Sequence, residues 1–185
     1  MIFLSLKNSV SMKNLIYYFE TKGLNKDRIS EIGYDFVFKM AKDEYGLKEP
    51  PTLSLSENGK PYFKDLPDFH FNISHSKNLL AIAFSNAPVG VDIEKHREIN
   101  LRIAERYFCE TEKQYVNDPV SFFYVWTRKE AYLKKSGDGI KKRLDSFCVL
   151  NDPKIKTYTF KGFTLSVCSK ASAEFKILAN TQKIW

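Results

Sequence analysis

Asp92-Ile93-Glu94 closes an apolar run that begins at Val89. On an extended chain alternate side chains share a face, so the two carboxylates project together, their Cβ atoms roughly 6.5–7 Å apart. Converging carboxylates repel unless a proton or cation sits between them. A hard ion such as Mg²⁺, which takes oxygen ligands and keeps waters for a phosphate to displace, is the natural occupant. The same pair also describes a solvated strand end balanced by Lys95 and Arg97. A third acid shifts the balance towards a metal. Phe123, Trp126 and Leu133 form an apolar stripe at helical spacing, and Glu130 interrupts it. A carboxylate on a core-facing stripe must find a partner or a metal, because burying it unpaired costs several kcal/mol, of the order of ~3–5. Lys134 follows at i+4, either as an ordinary intrahelical ion pair or as a cation placed beside a phosphate.

Two further segments suit anion binding. Asn72-Ile73-Ser74-His75-Ser76 follows a short apolar strand, and a Ser-His-Ser turn offers hydroxyls, an imidazole and backbone N–H groups. A Ser/His/Asp hydrolase is the weaker reading of it, since no Gly-x-Ser-x-Gly elbow is present. Asn58-Gly59-Lys60-Pro61 reads as a surface turn with a projecting lysine.

The elements that must position these residues read as follows. A strand at Ile2–Leu6 leads through Ser11 into a helix carrying Leu15, Tyr18, Phe19 and Lys22, which Gly23 stops. A second helix runs from Lys26 to Tyr45, with Ile29, Ile32, Phe36 and Met40 at steps of three and four and Gly46 after its end. Strands are expected at Leu53–Leu55, Phe69–Ile73, Leu79–Ser85 and Val89–Glu94, and a helix at Leu101–Phe108. Thr111 and Gln114 suggest a capping box, and Asp118-Pro119 starts a helix that ends at Gly137. Strands at Phe147–Leu150, Ile155–Phe160, Phe163–Cys168 and Glu174–Leu178 complete an antiparallel meander. This is an α+β chain of two successive halves, 1–87 and 88–185, packed as one compact body with a cleft at the seam.

Composition narrows the function classes. The 185 residues are 43% hydrophobic and 15% aromatic, which supports a real core and excludes a disordered chain. No apolar run reaches the length of a membrane span and Ile2–Leu6 lacks a signal peptide's basic start, so a soluble cytoplasmic protein is expected. Lys and Arg number 29 against 22 acids, a net +7 that suits a polyanionic ligand or acidic partner. No zinc finger, RNP-like string or Arg-rich tract argues for nucleic acid. Cys109, Cys148 and Cys168 are too widely spaced for a Cys-x-x-Cys motif and read as buried apolar fillers.

In chain order Asn-Gly-Lys-Pro (58–61), Phe-Asn-Ile-Ser-His-Ser (71–76), Val-Gly-Val-Asp-Ile-Glu (89–94) and Trp-Thr-Arg-Lys-Glu-Ala-Tyr-Leu-Lys-Lys-Ser-Gly-Asp-Gly-Ile (126–140) resemble the 4′-phosphopantetheinyl transferases of the surfactin-synthetase-activating class. The resemblance runs from about Asn58 to Phe147. It implies a pseudo-dimer of two similar α+β halves with coenzyme A and Mg²⁺ between them. The implied reaction moves 4′-phosphopantetheine from coenzyme A to a serine of an apo acyl or peptidyl carrier protein and releases adenosine 3′,5′-bisphosphate. By the same resemblance Asp92, Glu94 and Glu130 are metal ligands, Glu130 is the general base, and Lys134 contacts the pyrophosphate. Lys60, Ser74 and His75 match further phosphate contacts, and Gly59 and Pro61 line the nucleotide. Glu112 falls where the family has an acid near the metal, although a first-turn acid in a capped helix explains it equally. Lys129 and Trp126 match the signature, and Lys26 and Arg28 are candidates for the 3′-phosphate by rough position. The expected protein is a monomer without nucleic-acid or membrane partners. A Mg²⁺-dependent nucleotide hydrolase and a non-catalytic basic binding module are the alternatives.

Overall fold

The computed structural model describes residues 14–137, 142–170 and 173–179. Strand β1 (Leu15–Glu20) is followed by helix α1 (Lys26–Tyr45), the short strands β2 (Leu53–Leu55) and β3 (Pro61–Phe63), the pair β4 (His70–Ser76) and β5 (Leu79–Ser85), and β6 (Gly90–Lys95). Helices α2 (Ile103–Tyr107), α3 (Glu110–Tyr115) and α4 (Pro119–Ser136) come next. Strands β7 (Ile155–Phe160), β8 (Phe163–Cys168) and β9 (Lys176–Ala179) follow. The chain is of the α+β class.

Alternation along the strands builds the layers. In β5, Leu80, Ile82 and Phe84 face α1 with Phe19, Ile32, Phe36 and Val37, while Leu79, Ala81 and Ala83 face the opposite way. That second face meets Val91 and Ile93 of β6 and Phe163, Leu165 and Val167 of β8. Two sheets, ordered β4-β5-β1-β9 and β6-β8-β7, therefore pack face to face. α1 covers the outside of the first, and α4 covers the outside of the second. The β2–β3 ribbon is hydrogen-bonded to neither sheet, but its Phe63 packs into the core shared by α1 and the first.

Several expectations need correction. Leu15–Glu20 is a strand, not a helix. It lies between β5 and β9 with both faces against neighbours, so its apolar residues do not alternate with polar ones, and their spacing mimics a helix. The expected strand at Ile2–Leu6 and the cap at Ser11 lie outside the described residues. Phe147–Leu150 is not a strand: a 3₁₀ turn at Leu144–Ser146 leads into a loop. The last strands are not a simple meander, because β9 crosses to the first sheet and pairs parallel with β1. Cys168 is buried as expected, but Cys109 and Cys148 form a disulfide, with Cα atoms 5.7 Å apart. Closing 39 residues in this way removes denatured-state entropy worth about 3–4 kcal/mol.

α4 matches its sequence signals. Asp118 accepts from the Ser121 N–H at 2.7 Å, Pro119 occupies the first turn, and Gly137 ends the helix with φ 73°. The helix lies directly on β6 at Gly90, where an added Cβ would fall 2.1 Å from the Ala131 carbonyl oxygen and 2.3 Å from the Lys135 nitrogen. Only a glycine permits this approach, and it fixes how far the side chains of α4 stand from those of β6. Gly90→Ala is accordingly expected to lower stability by about 1–3 kcal/mol or more. Gly33→Ala in α1, whose Cβ would meet Ile73 at an ordinary 3.4 Å, should be neutral or stabilising by up to about 1 kcal/mol. Urea unfolding of the two variants checks this. Equal effects at the two positions would contradict it.

Candidate functional site

The site begins at the meeting of two sheet edges. β4 is the outer strand of one sheet and β6 that of the other, so the outward N–H groups of β6 have no strand to pair with. Side chains of β4 take that place. Asn72 Oδ1 accepts from Val91 N at 2.8 Å, Ser74 Oγ from Ile93 N at 3.3 Å, and Ser76 Oγ from Lys95 N at 3.1 Å. The serines then give their own protons to the acids between those amides. Ser74 Oγ donates to Asp92 Oδ1 at 2.9 Å and Ser76 Oγ to Glu94 Oε2 at 2.7 Å. Asn72–Ser76 thus lies within a strand rather than in a turn, and its hydroxyls orient carboxylates. His75 alternates to the other face with Ile73, on the α1 side.

α4 supplies the opposing wall. Lys134 Nζ donates to Asp92 Oδ1 at 2.6 Å and to Ser74 Oγ at 3.1 Å. Asp92 is 5% exposed, and its Oδ2 is buried without a hydrogen-bond partner. Burial pushes the Asp92 carboxyl above the usual range, against the pull of Lys134 and Ser74. Glu130 is half-buried beside it. Loss of water raises its carboxyl too, the Asp92 and Glu94 charges add to that, and Lys134 opposes it. The sequence-predicted acids are therefore neighbours that feel one another. They are not drawn into one closed set: Asp92 is turned to Lys134, and Glu94 to Ser76 and, at 3.2 Å, to Arg97. Three oxygen-donor acids, one with an unpaired buried oxygen, fit a hard divalent cation that would neutralise them.

A cleft of about 290 Å³ opens beside them, lined by Gly59, Lys60, Pro61, Asn72, Glu130 and Lys134 among others. Gly59 and Pro61 of the β2–β3 ribbon form part of the cleft wall. Lys60 does not project into solvent. Its ammonium donates to the carbonyls of Val89 at 2.9 Å and Lys135 at 2.7 Å, and burial lowers its pKa to about 8. Lys142 also lines this cleft and rests on the Tyr132 and Phe147 rings, a contact that its position in the sequence did not signal.

Glu112 and Lys129 belong to the support of α4 and not to the acid cluster. Their fully buried side chains pair at 2.7 Å. Glu112 also accepts from the N–H groups of Cys109 and Val149, so the capping box is Cys109/Glu112 rather than Thr111/Gln114. Lys129 further donates to the carbonyls of Leu144 and Phe147. Arg128, also buried, binds the carbonyls of Val149, Leu150, Asp152 and Ile155. Together they fix the loop after α4. Among the described residues, the trio whose donor atoms lie within 4.8 Å of one another is Cys109, Glu112 and Cys148. It is no metal centre here, since the sulfurs are bonded together and both Glu112 oxygens are engaged.

Residues 88–178 match the 4′-phosphopantetheinyl transferase superfamily. The chain is 44% identical over 125 residues to 4′-phosphopantetheinyl transferase Sfp of Bacillus subtilis (strain 168), an alignment covering 64% of this chain and 56% of that protein. It is 45% identical over 123 residues to 4′-phosphopantetheinyl transferase psf-1 of Bacillus pumilus, covering 63% and 53%. A third relative, 4′-phosphopantetheinyl transferase gsp of Aneurinibacillus migulanus, is 44% identical over 100 residues, covering 51% and 41%. The chain thus spans about half the length of the curated relatives it matches. By the match over residues 88–178 and by these relatives, the chain is similar to the 4′-phosphopantetheinyl transferase superfamily.

Proposed function

We propose that the chain transfers 4′-phosphopantetheine from coenzyme A to a serine hydroxyl of an apo acyl or peptidyl carrier protein. The observation that carries this reading is Glu130, a half-buried carboxylate on α4 that lines the cleft with Lys134 and feels the charges of Asp92 and Glu94 beside it. In the reaction the serine oxygen bonds to the phosphorus next to pantetheine, and the bond from that phosphorus to the bridging oxygen of the pyrophosphate breaks. Adenosine 3′,5′-bisphosphate leaves. Asp92, Glu94 and Glu130 would hold Mg²⁺, whose charge, when bound, offsets that of the pyrophosphate.

Each residue then has a defined task. Glu130 takes the serine proton, and burial and the neighbouring acids, which raise its pKa, make it a stronger base than a free carboxylate. Lys134, released from Asp92 as phosphate enters, donates to the pyrophosphate oxygens. Ser74 and Ser76 hold the acids of β6 in a fixed orientation. Gly59 and Pro61 present a flat wall to the nucleotide, and His75, Lys26 and Arg28 are candidates for the 3′-phosphate. The net +7 favours an acidic carrier protein as the partner. We further place the reaction in the cytoplasm with a monomer.

Intact-mass spectrometry of apo carrier proteins incubated with coenzyme A and Mg²⁺ tests the activity. Transfer should require the divalent ion, and Glu130→Gln should lose at least about 10²-fold in turnover while keeping its fold. Full activity in EDTA, or near-wild-type turnover by Glu130→Gln, would overturn the reading. Release of phosphopantetheine to water without any carrier would favour a hydrolase.

A pH dependence follows from the same carboxyls. Because folding raises the Asp92 and Glu130 pKa values, the proton-bound forms stabilise the metal-free fold at low pH, and this contribution fades as pH rises through the raised values. A cation must displace those protons, so its affinity should climb with pH over the same range. Mn²⁺ titration followed by EPR at pH 5.5, 6.5 and 7.5 should show progressively tighter binding. A flat profile would place the ion elsewhere.

A further inference from the structure

The resemblance assigns Lys60 to a phosphate of the ligand; the geometry points to a different task. We infer that Lys60 is a positioning residue whose ammonium fastens the end of α4 to the start of β6, and so sets the spacing between Glu130 and Lys134 on one side and Asp92 and Glu94 on the other.

The side chain is held at both ends. At its base, the Lys60 N–H donates to Ser56 Oγ at 3.0 Å and its carbonyl accepts from Ser56 N at 2.9 Å, within the turn that joins β2 to β3. Its stem lies against Gly137, where an added Cβ would come within 3.2 Å of Lys60 Cδ. At its head, two of the three ammonium protons go to Lys135 O at 2.7 Å and Val89 O at 2.9 Å. Lys135 belongs to the last turn of α4, whose carbonyls have no N–H left within the helix and carry the negative end of its dipole. Val89 immediately precedes Gly90, the point where β6 and α4 touch most closely. Gly90 allows the approach, and Lys60 secures it with a cation shared between the two elements. With two protons so used on backbone carbonyls of the protein itself, the ammonium is part of the cleft wall before any ligand arrives.

The transfer and metal readouts below rest on the proposed function; the unfolding readout does not. Lys60→Met keeps the stem and removes the donors. Expected in the ligand-free protein is a Tm lower by at least about 4 °C. Mn²⁺ binding to that protein, read by EPR, should be about tenfold weaker, as when a group supporting metal ligands is lost. In the transfer assay kcat should fall by the same factor with coenzyme A and with dephospho-coenzyme A, and the ratio of their KM values should not change. An unchanged Tm and Mn²⁺ affinity, with a KM raised for coenzyme A alone, would overturn the inference and restore the phosphate contact. If the wild type transfers nothing, the enzymatic reading fails, and the Tm and Mn²⁺ results alone decide the role of Lys60. Should Lys60→Met fail to fold, Lys60→Gln, which keeps a donor, should show an intermediate Tm loss; wild-type Tm in that variant would contradict the clamp.

Discussion

The structure turns on the exposed edge of β6. Its outward N–H groups at residues 91, 93 and 95 have no strand partner, and buried amides left unpaired would each cost about 1–3 kcal/mol. Asn72, Ser74 and Ser76 satisfy them from β4, two residues apart, in step with the alternation of both strands. This side-chain ladder locks the register between the two sheets. It also leaves the serine protons free for Asp92 and Glu94, so the interaction that joins the sheets also orients the acids. A register shift by one residue would put Ile73 and His75 against the amides and turn the acids away from the hydroxyls.

α4 completes the site because its own seat is equally determined. Gly90 lets its backbone lie on β6, the buried Lys129–Glu112 pair joins it to α3, and Arg128 holds the loop at 149–155. Thr127 adds a buried contact to Ser166 of β8 at 2.8 Å. The signature Trp-Thr-Arg-Lys-Glu therefore divides by face: residues 127–129 hold the helix in place, and Glu130 and Lys134 are what that placement presents to the cleft. The three successive polar residues of the support explain why so much charge is buried in a helix whose apolar stripe alone would not fix its height above β6.

Much of this was legible in the residues. Alternation aligned Asp92 with Glu94, and helical spacing marked Glu130 as an acid on a core-facing stripe; in the structure Glu130 feels the charges of the other two. α4 was framed by Asp118, Pro119 and Gly137, and the end of α1 by Gly46. Other features left no local signal. β1 was read as a helix because a central strand packed on both faces loses the period of two that identifies strands. β9 joins β1 from the far end of the chain, and the Cys109–Cys148 bond closes 39 residues, so both depend on the tertiary fold. Lys60 reads as a surface turn residue because its partners are backbone carbonyls 29 and 75 residues away, and no residue type marks a carbonyl as an acceptor.

The most direct measurement is residue-resolved amide hydrogen exchange by NMR on the wild type and on the Asn72→Ala/Ser76→Ala variant. In the wild type the amides of Val91, Ile93 and Lys95 should exchange as slowly as those inside β5. In the variant Val91 and Lys95 should exchange at least about tenfold faster, while Ile93, still paired with Ser74, stays slower than both. Protection at Val91 and Lys95 that survives the loss of both side chains would contradict the ladder and the placement of the carboxylates that depends on it.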